Sequence, residues 1–208
     1  MHKIQGGISQ MKSKNRVQQY FYQKDFSVAE IISLSLAAVS LLAATFVTGG
    51  GPVGLPALVI CIVAFCVFRS LKVKDSEIDE ALKKILSDNQ VKCTENTIEG
   101  YELKDTVVKR RKNGKIISPR YYITDIVSST ESTVLNVYDI DLINSTVNKR
   151  AYDLDRSKKI ILTEETVKTP AGTVQASYLN IDGECLIPVA LNDYRSSQLA
   201  QEICDTHR

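Results

Sequence analysis

The sequence predicts a membrane-embedded helical hairpin joined to a mainly-β domain, and three observations carry that expectation. Ile31 to Phe68 contains no charged residue. Gly49-Gly50-Gly51-Pro52 breaks that run into two mostly apolar halves, each about long enough to cross a thin bilayer core as a helix. From about Val91 onward, β-branched and aromatic residues dominate and turn signals recur.

The hairpin comes first. In hydrocarbon every backbone N–H must be satisfied within its own segment, so both halves, Ile31–Val47 and Val53–Phe68, are expected to be helices. Lys3, Lys12, Lys14, Arg16 and Lys24 precede the first span, Arg69, Lys72 and Lys74 follow the second, and the turn is uncharged. The positive-inside rule then puts both termini in the cytoplasm, with two spans and no cleaved leader. Ser33, Ala37, Ser40 and Ala44 share one face of the first helix, and Ala57, Cys61 and Ala64 form a similar stripe on the second. Such stripes let helices approach closely, within the hairpin or in a homo-oligomer. Glu30 sits at the membrane edge, where the helix dipole favours an anion.

The flanks follow. Residues 1–27 read as a cytoplasmic and interfacial segment, since Tyr20, Phe21, Tyr22 and Phe26 lie among basic and amide residues. Residues 28–70 hold the hairpin. Residues 71–90 carry an amphipathic linker helix, Ser76 to Asp88, with Ile78, Leu82, Ile85 and Leu86 on one face. Asp75 or Ser76 can cap it.

Residues 91–208 are expected to form the β-rich cytoplasmic domain. Asn113-Gly114 between Asp105–Lys112 and Lys115–Ile123 is a hairpin signal, and Pro119 marks an edge or bulge. Further strands are read at Thr133–Ile143, Arg150–Leu154, Lys159–Lys168, Thr173–Ile181 and Glu184–Val189, with turns at Pro170-Ala171-Gly172 and Asp182-Gly183. A helix capped by Asn192 or Asp193 runs to about Cys204. Some seven strands in a meander must close or stack to remove their edges. A small antiparallel β-barrel is the leading expectation, and a pleckstrin-homology-like sandwich with a C-terminal helix is the alternative.

Composition narrows the chemistry. Among 208 residues, 26 Lys+Arg nearly balance 24 Asp+Glu, which argues against DNA or RNA as partner. The only histidines, His2 and His207, are terminal, so a Ser-His or Cys-His nucleophile is not expected in the core. No CxxC spacing appears among Cys61, Cys66, Cys93, Cys185 and Cys204, so no zinc site is expected. Neither catalytic residues, a cofactor nor a resident metal is expected. Asp139 with Asp141, and Asp153 with Asp155, put two carboxylates on one strand face. They could hold Mg²⁺ with a phosphorylated substrate, or be solvated and paired with Lys149, Arg150 or Arg156.

The candidate ligand site is the basic hairpin: Lys109, Arg110, Arg111, Lys112 and Arg120, with Tyr121 and Tyr122 beside them and Lys115 in the same cluster. Guanidinium groups bind phosphate bidentately and tyrosine faces stack on bases. The cluster therefore suits a nucleotide, the anionic inner leaflet, or a merely solvated hairpin tip.

Two N-terminal membrane helices, a short linker and a compact β-rich cytoplasmic domain resemble the two-transmembrane, β-strand-rich effectors of bacterial cyclic-oligonucleotide antiphage systems. The resemblance lies in the layout of the whole chain. It implies a β domain that binds a cyclic nucleotide second messenger. It also implies residence in the inner membrane and helices that damage that membrane when activated. A homo-oligomer is expected separately, from the small-residue stripes.

Overall fold

The computed structural model describes residues 16–46, 51–129, 132–155, 158–170, 172–183, 185–190 and 192–207. The predicted turn at residues 49–52 and the strand position Glu184 fall partly or wholly outside them. The chain divides into two compact units. Tyr22–Lys74 forms one, and residues 16–21 with the described residues from Asp75 onward form the other.

The Tyr22–Lys74 unit is a pair of helices, α2 (Val28–Phe46) and α3 (Gly51–Ser70). Both are long and apolar enough to cross a membrane. Ser27 and Glu30 form a capping box at the start of α2. The Ser27 amide donates to Glu30 Oε2 at 2.6 Å and the Glu30 amide donates to Ser27 Oγ at 3.2 Å. Glu30 is fully buried and ion-paired to Lys72 at 2.5 Å, with Arg69 3.7 Å away. Glu30 thus serves as a cap and an ion-pair partner. The small stripe of α2 packs within the hairpin: a Cβ on Gly54 would lie 2.8 Å from both Ser40 O and Ala44 Cβ. Close approach through small residues is how apolar helices gain dispersion contact when burial from water contributes little between them. Their outer faces, including Leu36, Val39, Leu42, Ile60 and Val63, are exposed.

In the other unit, α1 (16–22) docks on α4 (Asp75–Asp88). Arg16 forks onto Glu77 at 2.8–3.1 Å and the Tyr20 hydroxyl donates to Asp75 at 2.6 Å. Val17, Tyr20, Phe21, Ile78 and Ile85 are buried. The linker helix therefore packs as part of this unit, beginning one residue earlier than expected.

The strands are β1 (Thr97–Tyr101), β2 (Lys109–Arg110), β3 (Ile116–Ile117), β4 (Arg120–Ser128), β5 (Thr133–Asp141), β6 (Thr146–Leu154), β7 (Ile160–Thr169), β8 (Gly172–Ile181) and β9 (Cys185–Val189), followed by α5 (Tyr194–Thr206). They form antiparallel sheets ordered β1-β4-β5-β6, β2-β3 and β7-β8-β9. The expected closed barrel is not formed among the described residues: β6 and β7 share no ladder, so the meander is interrupted between Leu154 and Ile160. There the Lys158 amide donates to Asp155 O and the Lys158 Nζ donates to Asp153 O. The two larger sheets meet instead at β1 and β9, where the Ala190 amide donates to Glu99 O at 2.8 Å. Gly100 makes that approach possible, since a Cβ there would lie 2.2 Å from Pro188 O. Ile98, Leu135, Val137, Leu179 and Ile187 fill the core, and α5 covers it with Ala200 and Ile203. Asp193 caps α5 by accepting from Ser196.

Candidate functional site

Strand alternation sorts the basic hairpin into two sets of cations. Lys109 and Arg111 point inward. Lys109 Nζ donates to Tyr20 O at 2.9 Å and lies 4.3 Å from the Tyr20 ring centroid. Arg111 pairs with Asp79 of α4 at 2.7 Å, with its side chain only 9% exposed. These two fasten α1 and α4 to the hairpin. Burial and the Asp75 carboxylate push the Tyr20 phenol well above its ordinary pKa.

Arg110 and Lys112 point outward, are exposed, and have no ion pair or hydrogen bond from their side chains among the described residues. The tip itself is a three-residue loop. The Gly114 amide donates to Arg111 O at 3.0 Å, and Gly114 takes φ +83°. Asn113-Gly114 therefore closes the hairpin as a turn followed by one left-handed residue, rather than with two left-handed residues. Lys115 follows it, exposed, 5.7 Å from the Tyr101 ring centroid.

The remaining predicted residues lie elsewhere. Pro119, which lacks an amide, separates β3 from β4. Arg120 then starts β4, 3.9 Å from Asp139, and lines a shallow cleft with Lys104, Asp141 and Asn144. Tyr121 and Tyr122 are consecutive strand residues and so face opposite sides of β4. The Tyr121 hydroxyl bonds Glu99, and the side chain is buried. Tyr122 packs against the core beside Asp139, and burial with that carboxylate pushes its phenol up to about 12. The cluster that is contiguous in sequence is thus not one site: only Arg110, Lys112 and Lys115 share an exposed tip.

The Asp139–Asp141 pair does not assemble either. Asp141 is consumed by its own turn, accepting from the amides of Ile143 and Asn144 at 2.9 Å and from Asn144 Nδ2 at 2.6 Å. Asp139 is buried near Arg120 and Tyr122. No group of three His, Cys, Asp or Glu side chains is placed to hold a metal ion among the described residues.

A second feature was not visible in the sequence. A cleft of about 610 Å³ opens where β1, Lys115, Tyr121 and the start of α5 converge. Its lining includes Cys93, Glu99, Tyr101, Lys115, Asp193 and Arg195. Tyr101 and Tyr121 stand 4.7 Å apart between ring centroids, tilted by 42°. Burial pushes the Tyr101 phenol up to about 12. Burial and the adjacent Glu99 push the Cys93 thiol up to about 11. The Ser196 hydroxyl holds the Asp193 carboxyl below the usual range, and Lys115 adds to that effect.

Comparison with known proteins adds no relative. No protein-family model, curated protein or solved structure matches the chain. The geometry of the two surfaces alone bears on function.

Proposed function

We propose that this chain is a membrane-anchored binding protein that recognises phosphate groups through the outward cations of its β2–β3 tip. In this reading α2 and α3 cross the bilayer as a hairpin with both chain ends in the cytoplasm. The β unit is a pleckstrin-homology-like sandwich, a reading supported by four meandering strands, then three, then a closing helix. The observation that carries the proposal is the alternation along β2. Lys109 and Arg111 are occupied within the protein, while Arg110 and Lys112 are left without a carboxylate.

Three exposed cations gain about 1 kcal/mol each near an anionic leaflet. A total of about 3 kcal/mol is weak for a free protein and sufficient for one already tethered. The same cations suit a cyclic oligonucleotide, in which case the bound ligand would act on the assembly of the helices and on the membrane. The two phosphate sources are separated by hydrogen exchange across residues 109–117 in the full chain, reconstituted in nanodiscs. Protection that appears only in discs containing phosphatidylglycerol, and falls with salt, identifies the headgroup. Protection produced by cyclic di- or trinucleotides in neutral discs identifies the soluble ligand. Each effect is expected to vanish in Arg110→Glu with Lys112→Glu. If neither condition protects the tip, the proposal fails.

A further inference from the structure

The cleft beneath the start of α5 shares Lys115 with the tip but is not lined by Arg110 or Lys112, and its chemistry differs. Its lining carries charges of both signs: Lys115 and Arg195 against Glu95, Glu99 and Asp193. Opposite charges this close ordinarily pair, yet among the described residues neither cation forms an ion pair with any of these carboxylates. Two of the carboxylates are held by neutral donors instead. Glu99 accepts from the Tyr121 hydroxyl, and Asp193 accepts from Ser196. Arg195 Nε donates to a backbone oxygen, Glu95 O, at 3.0 Å. Hydrogen bonds to neutral groups fix a charge in place without cancelling it, so both signs remain available to a ligand.

An adjoining chamber of about 200 Å³ shares Tyr101, Lys115, Ala190 and Asn192 with the cleft. Ser177 also lines it, 2% exposed, and its hydroxyl has no partner among the described residues. A buried hydroxyl without a partner is unfavourable, and a ligand or a water would satisfy it. The main cleft falls within the usual range for small-molecule sites, about 300–1,000 Å³. Tyr101 and Tyr121 both line it, and a ring pair of this geometry suits offset or edge contact with another ring.

We infer that this cleft binds a small zwitterion, a free aromatic amino acid or a dipeptide bearing one. Its ammonium group meets Glu99, its carboxylate meets Lys115 and Arg195, and its ring lies on the tyrosine pair. A pure anion would face three carboxylates and a pure cation two basic groups, so only a ligand with both signs avoids uncompensated repulsion.

The test uses the full chain in detergent and saturation-transfer NMR with L-phenylalanine, L-tyrosine and Gly-Phe, alongside N-acetyl-Gly-Phe and Gly-Phe-amide. Saturable binding of at least one free zwitterion is expected, at least tenfold tighter for Gly-Phe than for either blocked form if the dipeptide is the ligand that fits. Glu99→Gln, which keeps an acceptor for Tyr121, should abolish discrimination against the N-acetyl form. Lys115→Gln should weaken discrimination against the amide. Absence of saturable binding by every free zwitterion overturns the inference, as does equal binding of free and blocked forms or discrimination that survives Glu99→Gln. The tip proposal is read from Arg110 and Lys112 in a separate experiment, so either can fail alone.

Discussion

Replacing Gly100 by Ala tests the seam on which the β unit depends. The added Cβ would sit 2.2 Å from Pro188 O, 2.4 Å from Pro188 C and 2.9 Å from Val189 N. All three are backbone atoms, so no side chain can rotate away, and β1 and β9 must separate by roughly 1 Å to restore van der Waals distance. That displacement strains the Ala190 N to Glu99 O bond and the 3.0 Å bond from the Glu99 amide to Ser196 Oγ. Two hydrogen bonds at about 1 kcal/mol each, with about 1–3 kcal/mol for overpacking, give a loss of about 3–5 kcal/mol. For a chain of this size that lowers Tm by about 10 °C. Thermal unfolding of the full chain in detergent, followed by circular dichroism, measures the loss, and hydrogen exchange should accelerate at Glu99 and Ala190. Gly183→Ala is the control. It has φ +78° but nothing within 4 Å of its added Cβ, so only backbone strain of about 1 kcal/mol is expected. A Gly100→Ala variant no less stable than Gly183→Ala would refute the claim that the sheets join here.

Two more outcomes follow from the described geometry. Tyr101 has its phenol raised from about 10 to about 12 by burial, so the folded state holds that proton more tightly than the unfolded chain. The associated stability is present below pH 10 and is lost as pH rises through 12. Absorbance titrations of wild type and Tyr101→Phe should differ by one late-ionising phenol, with the alkaline unfolding edge moved upward in the variant; coincident edges would exclude Tyr101 as a contributor. Gly54→Leu should force α2 and α3 apart at Ser40 and Ala44, costing about 1–3 kcal/mol as overpacking. The helical thermal transition in detergent should fall accordingly, and an unchanged transition would show that the helices do not pack through this face.

The elements that sequence patterning reveals are those with strong local periodicity or punctuation. The two apolar helices, α4 and α5 were legible because one apolar face or run sets each of them, and Asp193 was among the caps expected for α5. Strand β1 was missed: Thr97–Tyr101 contains a glycine and a glutamate and has no alternating pattern, because Gly100 answers to Pro188 far along the chain. With β1 unseen, Glu99 and Tyr101 could not be placed in a cleft. The first half of β6 was missed for a different reason: Thr146–Lys149 is polar and mostly exposed at a sheet edge. The basic hairpin was legible as charge but not as geometry. Nothing local says that Arg111 will meet Asp79 while Arg110 and Lys112 remain free; that division depends on which face α1 and α4 cover. The capping box at Ser27 and Glu30 was present in the sequence as Ser-x-x-Glu and could have been read from that spacing.

The Tyr20–Asp75 hydrogen bond has a consequence for how the apolar helices come apart. It ties together the two points at which the chain leaves and re-enters the β unit, 55 positions apart. The intervening segment is thus a clipped loop rather than two free arms. If α2 and α3 lose contact, their outer ends stay joined, and re-pairing is a closure within one molecule at an effective concentration of about millimolar. Neighbouring copies of the chain would compete against that local concentration. Weakening the clip by Tyr20→Phe would therefore shift the balance from self-pairing toward exchange of helices between molecules.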